Sequence, residues 1–114
     1  MEARAIARYN RQSARKVRKI LNAVRDFKVG EAINYLHFSP EKASVVVEKT
    51  LRSAVANLMQ IEGNNELDPD TFEIKEAYVN QGPVMKRFRA ASMGRASKLR
   101  RPSSHLTVVV TTDN

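Results

Sequence analysis

The sequence predicts an α+β fold: a small three-stranded antiparallel sheet packed against three helices, with a long protruding β-hairpin. Three observations carry this prediction. Strand-like stretches occur near both ends of the chain and again from Phe72. Apolar residues at helical spacing fill the interval between the first two of these stretches. Finally, the 21 residues from Pro83 to Ser103 join two strands that an ordinary hairpin would connect with about two to five.

Each element has its own local reason. Glu2 to Tyr9 alternates, with Ala3, Ala5, Ala7 and Tyr9 on one side and Glu2, Arg4, Ile6 and Arg8 on the other. Ser13 suits a helix N-cap, and Val17, Ile20, Leu21 and Val24 make one apolar stripe of a helix from Ala14 to about Asp26. Gly30 is expected to break the chain before a short helix, Glu31 to Phe38, with Ala32, Ile33 and Leu36 inward. Ser39-Pro40 is the next helix start, with Ser39 as cap and Pro40 in the first helical position. Val47, Leu51, Ala54, Leu58 and Ile61 continue this longest helix toward Gly63. After a polar, acidic loop, Phe72 to Asn80 forms a strand of imperfect alternation. Phe72 and Ile74 share one parity and Ala77 and Val79 the other, which a bulge near Lys75-Glu76 reconciles. Ser104 to Thr112 is the last strand, with Leu106, Val108 and Val110 alternating against His105, Thr107 and Val109.

At 114 residues the chain fits one domain, residues 1–114. With no cysteine there is no disulfide framework, no thiolate zinc site and no thiol nucleophile. No apolar run is long enough to cross a membrane, and a cytoplasmic setting is expected. His37 and His105, the only histidines, have no carboxylate or second histidine at base or metal spacing. No catalytic residue, metal site or cofactor is therefore expected. Glu62, Glu66, Asp68 and Asp70 form an acidic loop expected to face solvent, and no glycine-rich phosphate loop exists.

Charge is the strongest functional signal. Residues 1–28 carry nine basic and two acidic side chains, residues 29–82 four and nine, and residues 83–114 seven and one. Two basic ends flanking an acidic middle suggest one face turned to a polyanion and another turned away. Pro83 to Ser103 holds no acid but seven cations, Lys86, Arg87, Arg89, Arg95, Lys98, Arg100 and Arg101, interleaved with apolar residues. Two extended arms reversing between Ala91 and Gly94 would reach roughly 30 Å. Such a ribbon has too little core to be stable alone and would be stabilised by a polyanion wrapped around it. RNA is preferred to DNA because the basic helix at Ala14 lacks a helix-turn-helix neighbour. A DNA-binding regulator, which would dimerise on a duplex site, is the second reading. A cationic membrane-active protein is a distant third, because the basic and apolar residues make no single long amphipathic helix.

Glu76 to Pro83 (EAYVNQGP), then Lys86-Arg87, Gly94-Arg95-Ala96 and Ser104-His105 through Val110, resemble the large-subunit ribosomal protein L twenty-two family. Ser13 to Arg18 resembles the start of that family's first helix. The resemblance implies a structural constituent of the large ribosomal subunit, not an enzyme. Such a protein binds large-subunit ribosomal RNA, aids assembly and lines the nascent-peptide exit tunnel with its extended hairpin. Neighbouring ribosomal proteins and the nascent peptide are then further partners, with no membrane and no homo-oligomer. The expected RNA-binding residues are Arg8, Arg11, Arg15, Lys16, Arg18, Lys19 and Arg25 on the body. On or beside the hairpin they are Lys86, Arg87, Arg89, Arg95, Lys98, Arg100, Arg101 and His105. Ala90, Ala91, Ser92, Met93 and Gly94 would form or adjoin the tip, where changes in the family are linked to macrolide resistance. Many members carry Pro-Arg where this chain has Ala90-Ala91, with Arg89 as the nearest charge.

Overall fold

Among the described residues, eight principal elements follow one another. They are β1 (Glu2–Asn10), α1 (Ala14–Val24), α2 (Val29–Phe38), α3 (Lys42–Glu62), β2 (Glu73–Gln81), β3 (Met85–Ala90), β4 (Ala96–Arg101) and β5 (Ser104–Thr111). The computed structural model describes residues 2–62, 68–82, 85–90, 96–101 and 103–112, with 62, 85–90 and 96–101 as backbone only. The expected reversal at Ala91 to Gly94, Arg95 and Pro83 lie outside the described residues.

β5 is the central strand of a three-stranded sheet, antiparallel to β1 on one side and to β2 on the other. Residues opposed in register share a face. The inner face is therefore built in rows across the three strands: Ala3–Val110–Ile74, Ala5–Val108–Ala77 and Ala7–Leu106–Val79. Small residues on β1 let α3 lie close along that strand, and Asn57 of α3 donates to the Arg4 carbonyl at 3.0 Å. This occupies an edge carbonyl that would otherwise invite another strand. The expected bulge is present: Ile74 opposes Val110 and Glu76 opposes Val109, leaving Lys75 as the extra residue.

The helices cover the inner face. Val17, Ile20, Leu21 and Val24 of α1 are all buried, as are Val47, Leu51, Ala54 and Leu58 of α3. Fully buried leucines of this kind are each worth about 2–5 kcal/mol against alanine. Thr50, buried on α3, donates its hydroxyl to the Val46 carbonyl at 2.8 Å and leaves no unmet donor.

Several local expectations are corrected. α1 ends at Val24 rather than near Asp26, and Phe27 N–H turns back to the Val24 carbonyl at 3.0 Å. α3 begins at Lys42, because Ser39 serves a turn: its hydroxyl accepts from the Glu41 N–H at 3.4 Å and from the Ser44 hydroxyl at 2.8 Å. Ile61, expected on the apolar stripe, is instead 55% exposed, one turn beyond the Asn57 contact with β1. Tyr9 leaves the inner side, as described below. Gly30 does not break the chain but sits in the first turn of α2. There the short 3₁₀ turn Pro69–Thr71 packs against the helix, and a Cβ on Gly30 would stand 2.8 Å from the Asp70 Cβ.

β3 and β4 form a separate two-stranded antiparallel ribbon, in register from Met85 opposite Arg101 to Ala90 opposite Ala96. The molecule measures 65 × 24 × 18 Å, with a radius of gyration of 17.3 Å. A compact chain of this size would have about 13 Å.

Two outcomes follow from this packing. Gly30→Ala gains helix propensity but collides with Asp70. Urea unfolding should show a net loss of about 1–2 kcal/mol, where an unobstructed helix position would show a gain. Deleting Met85 to Leu99 and closing with a short turn should leave a cooperative thermal transition, because the ribbon shares no sheet with the body. A broad, non-cooperative melt would mean the ribbon belongs to the core.

Candidate nucleic-acid interface

The ribbon leaves the body where β2 ends and β5 begins. The last regular pair is Gln81 with Ser104, and one further bond, Gly82 N–H to the Ser103 carbonyl at 2.9 Å, closes the root. The root is close-packed: a Cβ at residue 82 would stand 2.6 Å from the Ser103 Oγ, a hydroxyl that would have to turn away, and 3.3 Å from the His105 Nε2. The buried Ser104 hydroxyl donates to the Gln12 carbonyl at 2.8 Å. That bond ties the link between β1 and α1 to the same root.

β1 carries a second bulge at this end. Ala7 opposes Leu106 and Asn10 opposes Ser104, so Arg8 and Tyr9 together face His105. Tyr9 has φ +55°, a left-handed conformation uncommon outside glycine. The extra residue carries Tyr9 to the outer face of the sheet, where it is 66% exposed. Its N–H donates to His105 Nδ1 at 3.0 Å, which makes that nitrogen the acceptor. The two rings stand perpendicular, 4.8 Å between centroids.

Basic side chains gather around this root. Arg8, within the bulge, and Arg11, just after β1, are exposed. Ser13 caps α1, accepting from the Lys16 N–H at 3.3 Å, so Arg15 and Lys16 lie exposed in the helix's first turn beside the root. Arg18 donates to the Val79 carbonyl at 3.2 Å, clamping the β2 edge while its residue remains exposed. Lys19 pairs with Glu41 at 3.2 Å, an exposed pair that a stronger anion can displace. Arg25 stands apart, past the far end of α1, where the backbone of Lys28 forms an isolated antiparallel β-bridge with Glu73 at the start of β2. Lys86, Arg87 and Arg89 belong to β3, and Lys98, Arg100 and Arg101 to β4. Lys86 and Arg100 occupy one register position. Like charges at opposed positions destabilise a bare ribbon, a penalty that a polyanion would remove.

The other end of the sheet is acidic. Asp68, Asp70, Glu73 and Glu76 gather there, with Glu2 paired to Lys75 across β5. The hydrogen bond from Lys75, reinforced by its charge, holds the Glu2 carboxyl below its ordinary range and the Lys75 ammonium above its own. Asp68 caps the 3₁₀ turn by accepting from the Asp70 N–H at 3.0 Å, so one acidic side chain has a local structural use. Among the described residues no cluster of histidine and carboxylate groups is set to hold a metal ion. His37, 3.3 Å from Glu48, makes a surface contact on α2.

The structure thus brings Arg8, Arg11, Arg15, Lys16 and His105 to the ribbon's root and leaves Arg25 remote. It also presents outer-face residues absent from the expected set: Ile6, Tyr9 and Thr107. Tyr9 owes its exposure to the bulge, whereas Ile6 lies on that face by ordinary alternation and Thr107 is buried beneath it; no glycine or asparagine at position 9 signals the bulge in the sequence.

The Ribosomal protein L22p/L17e model matches residues 5–111. The chain is 49% identical over 110 residues to the large ribosomal subunit protein uL22 of Clostridium kluyveri, covering 96% of both chains. It is 47% identical to the protein of that name from Pelotomaculum thermopropionicum and 44% to that from Halothermothrix orenii, each over 96% of this chain and 95% of the relative. A match spanning the sheet, the helices and the ribbon shows that the chain belongs to the ribosomal protein L22p/L17e family, whose members are structural ribosomal proteins and not enzymes.

Proposed function

We propose that the chain acts as a single ribosomal-protein domain that binds large-subunit ribosomal RNA and aids assembly of that subunit. Its hairpin, residues 83–103, lines the nascent-peptide exit tunnel. The observation that carries this reading is the joining of an acid-free basic ribbon to a basic root, with Asp68, Asp70, Glu73 and Glu76 gathered at the opposite end of the sheet. The root anchors through Arg8, Arg11, Arg15, Lys16, Lys19 and His105. Arg18 contributes the donors not committed to Val79. The ribbon penetrates folded RNA, with Lys86, Arg87, Arg89, Arg95, Lys98, Arg100 and Arg101 as its phosphate contacts. Arg25 would touch a separate RNA segment at the far end of α1. Residues Ala90 to Gly94 face the tunnel and the passing peptide. Neighbouring ribosomal proteins have exposed apolar side chains available on α2 and α3, Tyr35, Phe38 and Val45, of which Phe38 is 82% exposed. The setting is the ribosome of the cytoplasm, and among the described residues no helix is long and apolar enough to cross a membrane.

Phosphate neutralisation releases counterions, so affinity for large-subunit RNA should fall steeply with salt, by roughly 10³- to 10⁵-fold between about 50 and 200 mM. Filter binding would measure this, and each ribbon cation changed to alanine should lower the slope by about one. Salt-independent affinity, or equal affinity for any duplex DNA, would count against the reading. In a map of the assembled subunit, Met93 and Arg95 should lie beside the tunnel lumen. Finding them at the outer surface would exclude the tunnel role.

A further inference from the structure

We infer that the outer face of the sheet, beside the ribbon's root, is a stacking site for one unpaired RNA base, with Tyr9 as its platform. The inference rests on the RNA-binding reading above and adds to it a contact with a base rather than with phosphate. Ile6, Arg8, Tyr9, His105 and Thr107 line a shallow hollow of about 250 Å³. The hollow combines an aliphatic wall, a flat aromatic ring and one guanidinium.

The ring is displayed at the expense of backbone geometry. In regular alternation Tyr9 would point inward with Ala3, Ala5 and Ala7; the bulge and its positive φ turn it outward instead. A residue with a Cβ is disfavoured in that conformation, whereas glycine adopts it freely. His105 then fixes the position twice, by accepting the Tyr9 N–H and by setting its ring at 87° to the tyrosine. What remains is an aromatic ring held on one side and open to solvent on the rest.

The surrounding charge selects the occupant. Arg8 lines the hollow, and Arg11 follows the bulge in the chain. An apolar peptide would gain nothing from those cations. A nucleotide uses both components, its base on the ring and its phosphate on the guanidinium. Stacking accepts any base, so the contact fixes a splayed-out nucleotide without demanding a sequence.

The test exploits the positive φ. Tyr9→Gly removes the ring while relieving the backbone, so its thermal midpoint should equal or exceed that of the parent. Its affinity for full-length large-subunit RNA should nevertheless fall roughly 5- to 150-fold, with the salt slope unchanged. Tyr9→Phe, which keeps the flat face, should recover most of that loss. Ultraviolet cross-linking of the parent complex should place a nucleotide adduct on Tyr9. If Tyr9→Gly binds as tightly as the parent while Lys86→Ala/Arg87→Ala still flattens the salt slope, the stacking site is wrong and the RNA reading stands. Tyr9→Phe binding no better than Tyr9→Gly would assign the effect to the hydroxyl and overturn the stacking. If the parent shows no salt-sensitive RNA binding at all, both readings fall.

Discussion

The pairing of β5 with two partners underlies the rest of the structure. One partner, β1, comes from the start of the chain, and the other, β2, leads directly into the ribbon. Because β5 is central, Leu106, Val108 and Val110 each anchor a row that crosses all three strands. A one-residue slip of β5 would turn those side chains to the outer face, so the register is set strongly. The same register brings Ser104 opposite both Asn10 and Gln81. The root is thereby held from both sides, and the basic residues that follow β1 collect beside it.

Charge separation in the folded body is a consequence of this topology. α1 starts near the root and ends near the beginning of β2, so its basic first turn and the acidic residues around β2's start occupy opposite ends. Segregation of this kind forgoes pairing that would favour the free protein. It is repaid when a polyanion meets the basic end, and the acidic end then repels non-productive approach. Arg18 and Lys19 show how two of the cations are held in the free protein, one on a backbone carbonyl and one on Glu41.

Much of this was legible in the sequence, for reasons that differ from element to element. The stripes of α1 and α3 follow from helical spacing because a single face must be buried. The bulge at Lys75 was legible because two apolar pairs of opposite parity had to reach one core. Its counterpart at Tyr9 was hidden, because tyrosine is an ordinary strand residue and its left-handed φ is imposed by the His105 contact and the register of β5. Gly30 misled for a related reason: its lack of a side chain accommodates Asp70, 40 positions later, and does not mark a turn. At the interface, the ribbon's cations were visible as a composition. The gathering of Arg8, Arg11 and Arg15 at its root depends on strand pairing between distant segments, which a local pattern does not encode.

The link between Tyr9 and His105 spans 96 positions, and that distance bears on how the protein comes into being. β5 is the last strand to leave the ribosome that synthesises it, and without β5 neither β1 nor β2 has a partner in the sheet. Helices can form as the chain emerges, but contacts of such long sequence separation must wait. The basic arm is therefore made before the strand that gives it a root. During that interval its charge is present without the root, so long-range attraction to a polyanion would precede any shape complementarity that needs the closed sheet.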